Sequence, residues 1–478
     1  MLGLSVFIVC GLALVGGYFL YGRFAQRVYG LDSRFKMPCV SKADGVDFVP
    51  LPTWKVFLIQ LLNIAGLGPV VGAVCGCLFG PISLIWIVCG CVFAGALHDF
   101  FAAMMSAEQG GNSLPDVLST VMGRSARIFM NIICVFLLLM VGVVFTLLPS
   151  GMLAALFPSL AWSPLIWSGI ILSYYFLATV LPIQAIIGRI YPLFGVLFLF
   201  MAVSMTVSLP LNGLQILPEL NFLRNYHPNG VGVWPMIFVT IACGAISGFH
   251  ATQSPMMVRC LKDAGHLRRV FYGAMIVEGL VALVWAVVGL SLRDVLFSVE
   301  GESVSFASLS LQNPAMAVNV ACRELLGNGG AVAAVLGVIV LAVTSGDTAM
   351  RSCRLMLADL FQLPQRSKLS RLGLSIPLFA AVVVISQLDF SVIWRYFGWA
   401  NQTLACLTLW CITLHLYRKR KNYWLTVPPT MLMTVVCVSY LLNAPECGIG
   451  VDVCISTTIG LVISASMLCL LLVGRKNS

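Results

Sequence analysis

Thirteen stretches of this chain run for about 20 residues with almost no charge, the length an α-helix needs to cross roughly 30 Å of hydrocarbon. They lie near 2–21, 54–80, 82–105, 125–148, 163–184, 189–210, 233–251, 269–291, 329–346, 371–388, 392–416, 424–443 and 453–474. What remains between them cannot build a soluble surface. Only 10% of the residues are charged and 60% are hydrophobic, where a soluble domain carries about 25% charge. A soluble enzyme, a disordered chain and a disulfide-rich secreted domain are therefore excluded. The chain reads as an all-α polytopic membrane protein, a single membrane domain over 1–478.

Basic residues test the count. The formal net charge is +10, a surplus that in a soluble protein would suggest a nucleic-acid partner. Here it follows a side. With the N-terminus outside and the spans alternating, 23 of the 28 Lys+Arg residues fall in cytoplasmic segments. Arg224, Arg293, Arg323 and Arg395 fall outside, and Lys55 sits at the inner end of the second span. The positive-inside rule expects such a split, and a missed helix would scramble it. The C-terminus is then cytoplasmic, and no nucleic acid is expected. No basic residue precedes the first apolar run, which reads as an uncleaved helix rather than a signal peptide. A bacterial inner (plasma) membrane is the expected location.

The 17 cysteines lie mostly inside apolar runs and read as small packing residues. There is no CxxC pair and no histidine at finger spacing, so no zinc site is expected. Cys447 and Cys454 flank a predicted outer loop and are close enough in sequence to pair.

Two spans carry their own interruptions. The second contains Gly66, Gly68 and Pro69 at its centre. Glycine costs a helix about 1 kcal/mol and proline about 3, so the helix is expected to break near 65–69. The seventh contains Gly244, Ser247 and Gly248, followed at once by His250, Thr252, Gln253 and Ser254. Freed backbone groups are tolerated in hydrocarbon only where they face protein or a wet cavity. The two spans are five apart and run in opposite directions. That arrangement points to an inverted-repeat transporter with substrate bound at the breaks. The repeats are 54–210 and 233–416, preceded by a leading helix and loop over 1–53 and followed by two trailing helices over 424–474.

Seven ordered stretches resemble the carbon starvation protein A (CstA) family of membrane transporters. They are DGVDFVP at 44–50, IAGLGPVVG at 64–72, AGALHDFFA at 94–102, SGFHATQS at 247–254, GAMIVEGLVAL at 273–283, TSGDTAMRSCRLML at 344–357 and FGWANQTLACLTLW at 397–410. The resemblance implies uptake of peptides or of pyruvate. It also implies the five-plus-five, LeuT-like core of the amino acid–polyamine–cation superfamily, with helices 2 and 7 broken. In one respect the chain departs from the family pattern: Ile59 and Gln60 stand where members commonly carry a His-His pair.

Ionisable groups inside spans are costly and so are candidates for function. Hydroxyls beside freed carbonyls make a hard-cation site. In sodium-coupled transporters of this fold, a Thr/Ser pair on the eighth core helix meets carbonyls of the first broken helix. Thr344 and Ser345 are thus expected to share Na+ with carbonyls near Ala65 and Gly66. Alternatively they bond back to their own helix, and Asp347 pairs with Arg351 at i+4. Asp347 and Glu278 are the candidate proton carriers if H+ is the coupling ion. Substrate contacts are expected from Gln60, Asn63, Gly66, Gly68, Ser247, Gly248, His250 and Gln253. His98 and Asp99 do not share a helix face and are expected to have separate partners, in a structural or relay role. Asn401 and Gln402 read as amide glue between helices.

A cation-coupled secondary transporter of small organic nutrients is the leading reading. A channel or uncoupled facilitator shares the spans but should show pore helices or charged rings, and none is evident. A membrane-embedded enzyme is the third: there is no HExxH, no Walker A and no cluster of metal ligands in the sequence. No cofactor is expected beyond the coupling ion.

Overall fold

The computed structural model describes residues 2–30, 36–45, 47–157, 162–181, 187–299, 302–365, 367–444 and 448–473. Cys447, and with it the Cys447–Cys454 pairing, lies outside them. The main helices are α1 (Leu2–Tyr29), α2 (Thr53–Ile64), α3 (Gly68–Leu78), α4 (Ile82–Glu108), α5 (Arg124–Leu156), α6 (Pro164–Val180), α7 (Ile187–Leu211), α8 (Val233–Thr240), α9 (Gly248–Val258), α10 (Ala264–Leu292), α11 (Pro314–Phe361), α12 (Lys368–Ile385), α13 (Phe390–Arg418), α14 (Val427–Asn443) and α15 (Val453–Val473). A short antiparallel hairpin, β1 (Leu296–Val299) with β2 (Glu302–Ser305), follows α10.

The chain is a multi-pass helical membrane protein. Among the described residues, eight helices are long and apolar enough to cross a membrane, or nine if α2 and α3 count as one bent span. The expected thirteen is not reached on that measure, because several apolar stretches form shorter or divided helices. The stretches at 163–184 and 424–443 give the short α6 and α14. The stretch at 233–251 is split into α8 and α9 and that at 54–80 into α2 and α3, while 329–346 lies within α11, one of the eight. α11 is kinked at Gly327, whose φ of 65° lies in the left-handed region, which glycine enters without a Cβ penalty.

Both interruptions are real breaks. α2 and α3 meet at an angle of 56°, where Gly66, Gly68 and Pro69 remove helix propensity. α8 ends at Thr240, and α9 begins only at Gly248. Gly244, between them, has a φ of 89°. Thr252, Gln253 and Ser254, expected just beyond the seventh span, lie inside α9.

The core sits around these breaks. α10 is almost wholly buried and packs on α2, α3 and α4, while α1 and α15 are largely exposed. An apolar helix can face lipid all round only at the periphery. α11 packs against α5, α6 and α7, α9 lies between α4 and α13, and α14 packs on α15.

Candidate functional site

The two breaks touch. A Cβ built on Gly68 would sit 2.1 Å from the Cβ of Cys243, and one on Gly72 would sit 2.6 Å from the Thr240 carbonyl oxygen. Only glycine allows backbones this close. Beside the contact lies a cavity of about 350 Å³, lined by Gly68, Gly72, Cys243, Trp394, Phe397 and Tyr440 among others. His227 and Arg395 also line it.

The first break is held by α11. Both Thr344 Oγ1 (3.0 Å) and Ser345 Oγ (3.1 Å) donate to the Leu62 carbonyl, and the Gly66 amide donates to Ser345 Oγ at 3.1 Å. The carbonyl that meets the hydroxyls is thus Leu62, one turn before the expected Ala65 and Gly66; at Gly66 the amide makes the contact. Thr344 also lies within bonding distance of its own helix at Val340 (2.9 Å). Gly66 is sealed by Phe145, whose ring would lie 2.7 Å from an added Cβ.

Asp347 does not pair with Arg351. Its two carboxylate oxygens accept from Tyr174 (2.7 Å) and Tyr191 (2.8 Å), and Tyr191 lies 3.0 Å from the Thr344 carbonyl. Asp347 lies within α11, which continues to Phe361. Arg351 instead meets Asp47 (3.2 Å) and the carbonyls of Ala178 and Leu181. Arg354 approaches the same Asp47 at 3.9 Å and bonds Gln365. This network lies on α11 far from Pro314, the end that lines the cavity.

The second break is held by α13. Asn401 Oδ1 accepts from Ser247 Oγ (3.0 Å) and from the Phe249 amide (2.9 Å). It therefore caps α9 from another helix, satisfying donors a helix start leaves free. Gln402 donates to the Phe238 carbonyl in α8 at 2.7 Å, and Trp86 donates to the Ile241 carbonyl at 2.9 Å. Gly248 packs against the α13 backbone, where an added Cβ would lie 2.4 Å from Asn401 O.

A buried polar chain crosses between α4, α9 and α10. His98 and Asp99 bond each other, Nδ1 to Oδ1 at 2.8 Å, which corrects the expectation of separate partners. The facing rule compares Cβ directions, but in a dry interior two adjacent polar side chains turn towards each other. Asp99 Oδ2 also accepts from His250 Nδ1 at 3.0 Å, and His250 Nε2 stands 3.5 Å from Glu278 Oε2. All four side chains are fully buried. Cys243, His250 and Glu278 offer ligand atoms within 4.8 Å of one another, a grouping the sequence spacing did not suggest. Cys243 and His250 are seven residues apart across a break, and Glu278 comes from another helix.

Gln60 and Asn63 share one face of α2 and are buried. Among the described residues, none of their four amide N and O atoms has a hydrogen-bond partner. Gln253 is buried too, with Nε2 on Thr252 (2.8 Å) and Oε1 unpartnered. Of the eight residues expected to meet substrate, Gly68 is the one that lines the cavity.

The chain is similar to known proteins. The family described as carbon starvation protein CstA matches residues 2–163, 152–325 and 307–440. A peptide transporter CstA of Campylobacter jejuni is 25% identical, over 88% of this chain and 77% of its own. A pyruvate/proton symporter BtsT of Escherichia coli is 26% identical over 56% of this chain and 45% of its own. The crystal structure of a manganese transporter mutant from Eremococcus coleocola superposes with a TM-score of 0.53 at 15% identity, covering 90% of this chain and 97% of that one; that likeness is one of fold. The relatives are transporters, not enzymes, and with the family match spanning both breaks, the chain belongs to the carbon starvation protein CstA family of membrane transporters.

Proposed function

We propose that the protein is a secondary active transporter that imports a small organic nutrient, a peptide or pyruvate, by cation-coupled alternating access. The observation that carries this reading is the meeting of the two breaks at the wall of one cavity, with the Thr344 and Ser345 hydroxyls on the Leu62 carbonyl of the first break. Na+ shared by these oxygens would tie α11 to α2. Solute entering the cavity would meet Gly68 first. On occlusion it would meet the unpartnered amides of Gln60 and Asn63 and the amide oxygen of Gln253, together with Ser247, Gly248 and His250. Residues 54–210 and 233–416 act as two inverted five-helix repeats that rock against each other. The N-terminus is outside, the C-terminus cytoplasmic, and the membrane a bacterial inner one.

A second reading makes H+ the coupling ion. It is favoured by the chain from His98 through Asp99 and His250 to Glu278, and by the carboxyl of Asp347 between two tyrosines. Uptake of labelled pyruvate and of dipeptides into proteoliposomes, under separately imposed Na+ and H+ gradients, distinguishes the two. Uptake driven by H+ alone would remove the cation role of Thr344 and Ser345.

A further inference from the structure

Three donors of different hardness converge beside the second break. The Cys243 thiol, a ring nitrogen of His250 and a carboxylate oxygen of Glu278 lie within 4.8 Å of one another, all on buried residues. Among the described residues, His250 Nε2 and the Glu278 oxygens make no hydrogen bond of ordinary geometry, Nε2 standing 3.5 Å from Oε2. An ion pair alone leaves this arrangement unexplained. A protonated His250 would be held between Asp99 and Glu278, yet its Nε2 and the Glu278 oxygens stop short of a hydrogen bond. Unmade bonds on buried charged groups cost several kcal/mol.

The surroundings are those of ligands to a metal. A ligating imidazole commonly gives its other N–H to a carboxylate, which fixes the tautomer and aims the free nitrogen. His250 gives Nδ1–H to Asp99, itself anchored by His98, and so presents Nε2 towards Glu278. Asn401 Nδ2 lies 3.9 Å from Cys243 Sγ, on the side from which it can donate to a thiolate. Cys243 lines the cavity, which gives an ion a way in.

We infer that Cys243, His250 and Glu278 form a three-ligand site for a thiophilic divalent cation of the zinc class. One sulfur, one nitrogen and one oxygen suit a borderline ion rather than Mg2+ or Ca2+, which take oxygen. Three protein ligands leave one tetrahedral position for water or a solute oxygen. On binding, the thiol gives up its proton, as does the imidazole if charged, and the metal takes their place. The site differs from the one formed by Thr344 and Ser345 and is compatible with Na+ coupling there; a metal held by His250 and Glu278 would exclude their service as proton carriers.

The test is direct binding to the purified full chain in detergent, with Zn2+ and Co2+ as probes. Co2+ is expected to bind with one equivalent of tight stoichiometry, to give a thiolate-to-cobalt charge-transfer band, and to be displaced by Zn2+. Cys243→Ser should abolish the band, and Glu278→Gln should weaken binding at least tenfold, with gel-filtration profiles unchanged. X-ray absorption of the Zn2+-loaded wild type needs no variant. It should show one sulfur at about 2.3 Å with nitrogen or oxygen neighbours near 2.0 Å. A shell of nitrogen and oxygen alone, two or more sulfurs, no binding, or a band that survives Cys243→Ser would overturn the inference.

Discussion

Gly68 lies so close to Cys243 that a methyl group on the glycine would stand 2.1 Å from the cysteine Cβ and 2.5 Å from its sulfur. No side-chain rotation relieves the first contact, because a Cβ is fixed by its backbone. The two broken helices therefore approach at the glycine limit, and the cavity wall is made where they meet. Gly68→Ala should force them apart. Overpacking of this kind costs about 1–3 kcal/mol. The expected outcome is a lower melting temperature in detergent and loss of most uptake, read by fluorescence-detected gel filtration and a transport assay. Normal uptake in Gly68→Ala would show that the approach is not required.

Ser345 does two things at the first break: it donates to Leu62 and accepts from Gly66. Ser345→Ala strands a buried amide, which costs about 1–3 kcal/mol, and removes an oxygen from the proposed Na+ site. Apparent Na+ affinity in uptake should fall at least tenfold, with a smaller change in substrate KM. Equal Na+ dependence in wild type and variant would remove Ser345 from the coupling site.

Asn401 caps α9 from α13 through one oxygen that receives two bonds. Asn401→Ala should lower stability by about 1–2 kcal/mol, the scale of a lost helix cap. Asn401→Asp keeps the acceptor and should recover most of the melting temperature. A variant in which alanine and aspartate behave alike would argue against capping.

Asp47 is the counter-charge of two buried arginines, Arg351 and Arg354, at the end of α11 remote from the cavity. Removing one partner of a buried pair costs about 3–5 kcal/mol. If that network closes the inner side while the cavity stands open, Asp47→Asn should expose it. Labelling of a cysteine introduced at Gln365, by a membrane-impermeant reagent applied from the cytoplasmic side, should then speed up several-fold. An unchanged rate would make the network a strut rather than a gate.

His227 lines the cavity on a loop outside the spans, and partial burial pushes its imidazole below the ordinary range. A lowered value in the folded state means that protons bind the unfolded chain more readily. Its contribution to stability is therefore complete above the ordinary imidazole pKa and is lost as pH falls through and below it. His227→Gln should leave the melting temperature unchanged at pH 7.5 and raise it relative to wild type near pH 5. A parallel pH profile for both would show that His227 is not the group responsible.

The breaks were legible in the sequence because their causes are local. Gly66, Gly68 and Pro69, and Gly244 with Gly248, lower helix propensity where they stand, whatever the rest of the chain does. The polar short list was legible too, since acids and histidines are rare within these spans. Their partners were not. Asp347 finds Tyr174 and Tyr191, two residues on separate helices that look like ordinary apolar-span aromatics. Arg351, four residues on and the partner in one of the two expected arrangements, goes to Asp47 instead. Asn401 reaches Ser247 across 154 positions, which no spacing rule can anticipate. The number of spans was legible only in part. Hydropathy records how apolar a stretch is, not whether glycine or proline divides it, and α2 with α3 and α8 with α9 are such divisions.

In the proposed mechanism, cation binding at the first break drives solute through the cavity between the breaks. It is tested most directly by uptake into proteoliposomes with an inward Na+ gradient alone, comparing wild type with the Thr344→Ala/Ser345→Ala double variant. Accumulation of a peptide or of pyruvate above equilibrium is expected in wild type, collapsing to equilibration in the variant. Accumulation that is independent of Na+, or equal in the two proteins, would contradict it.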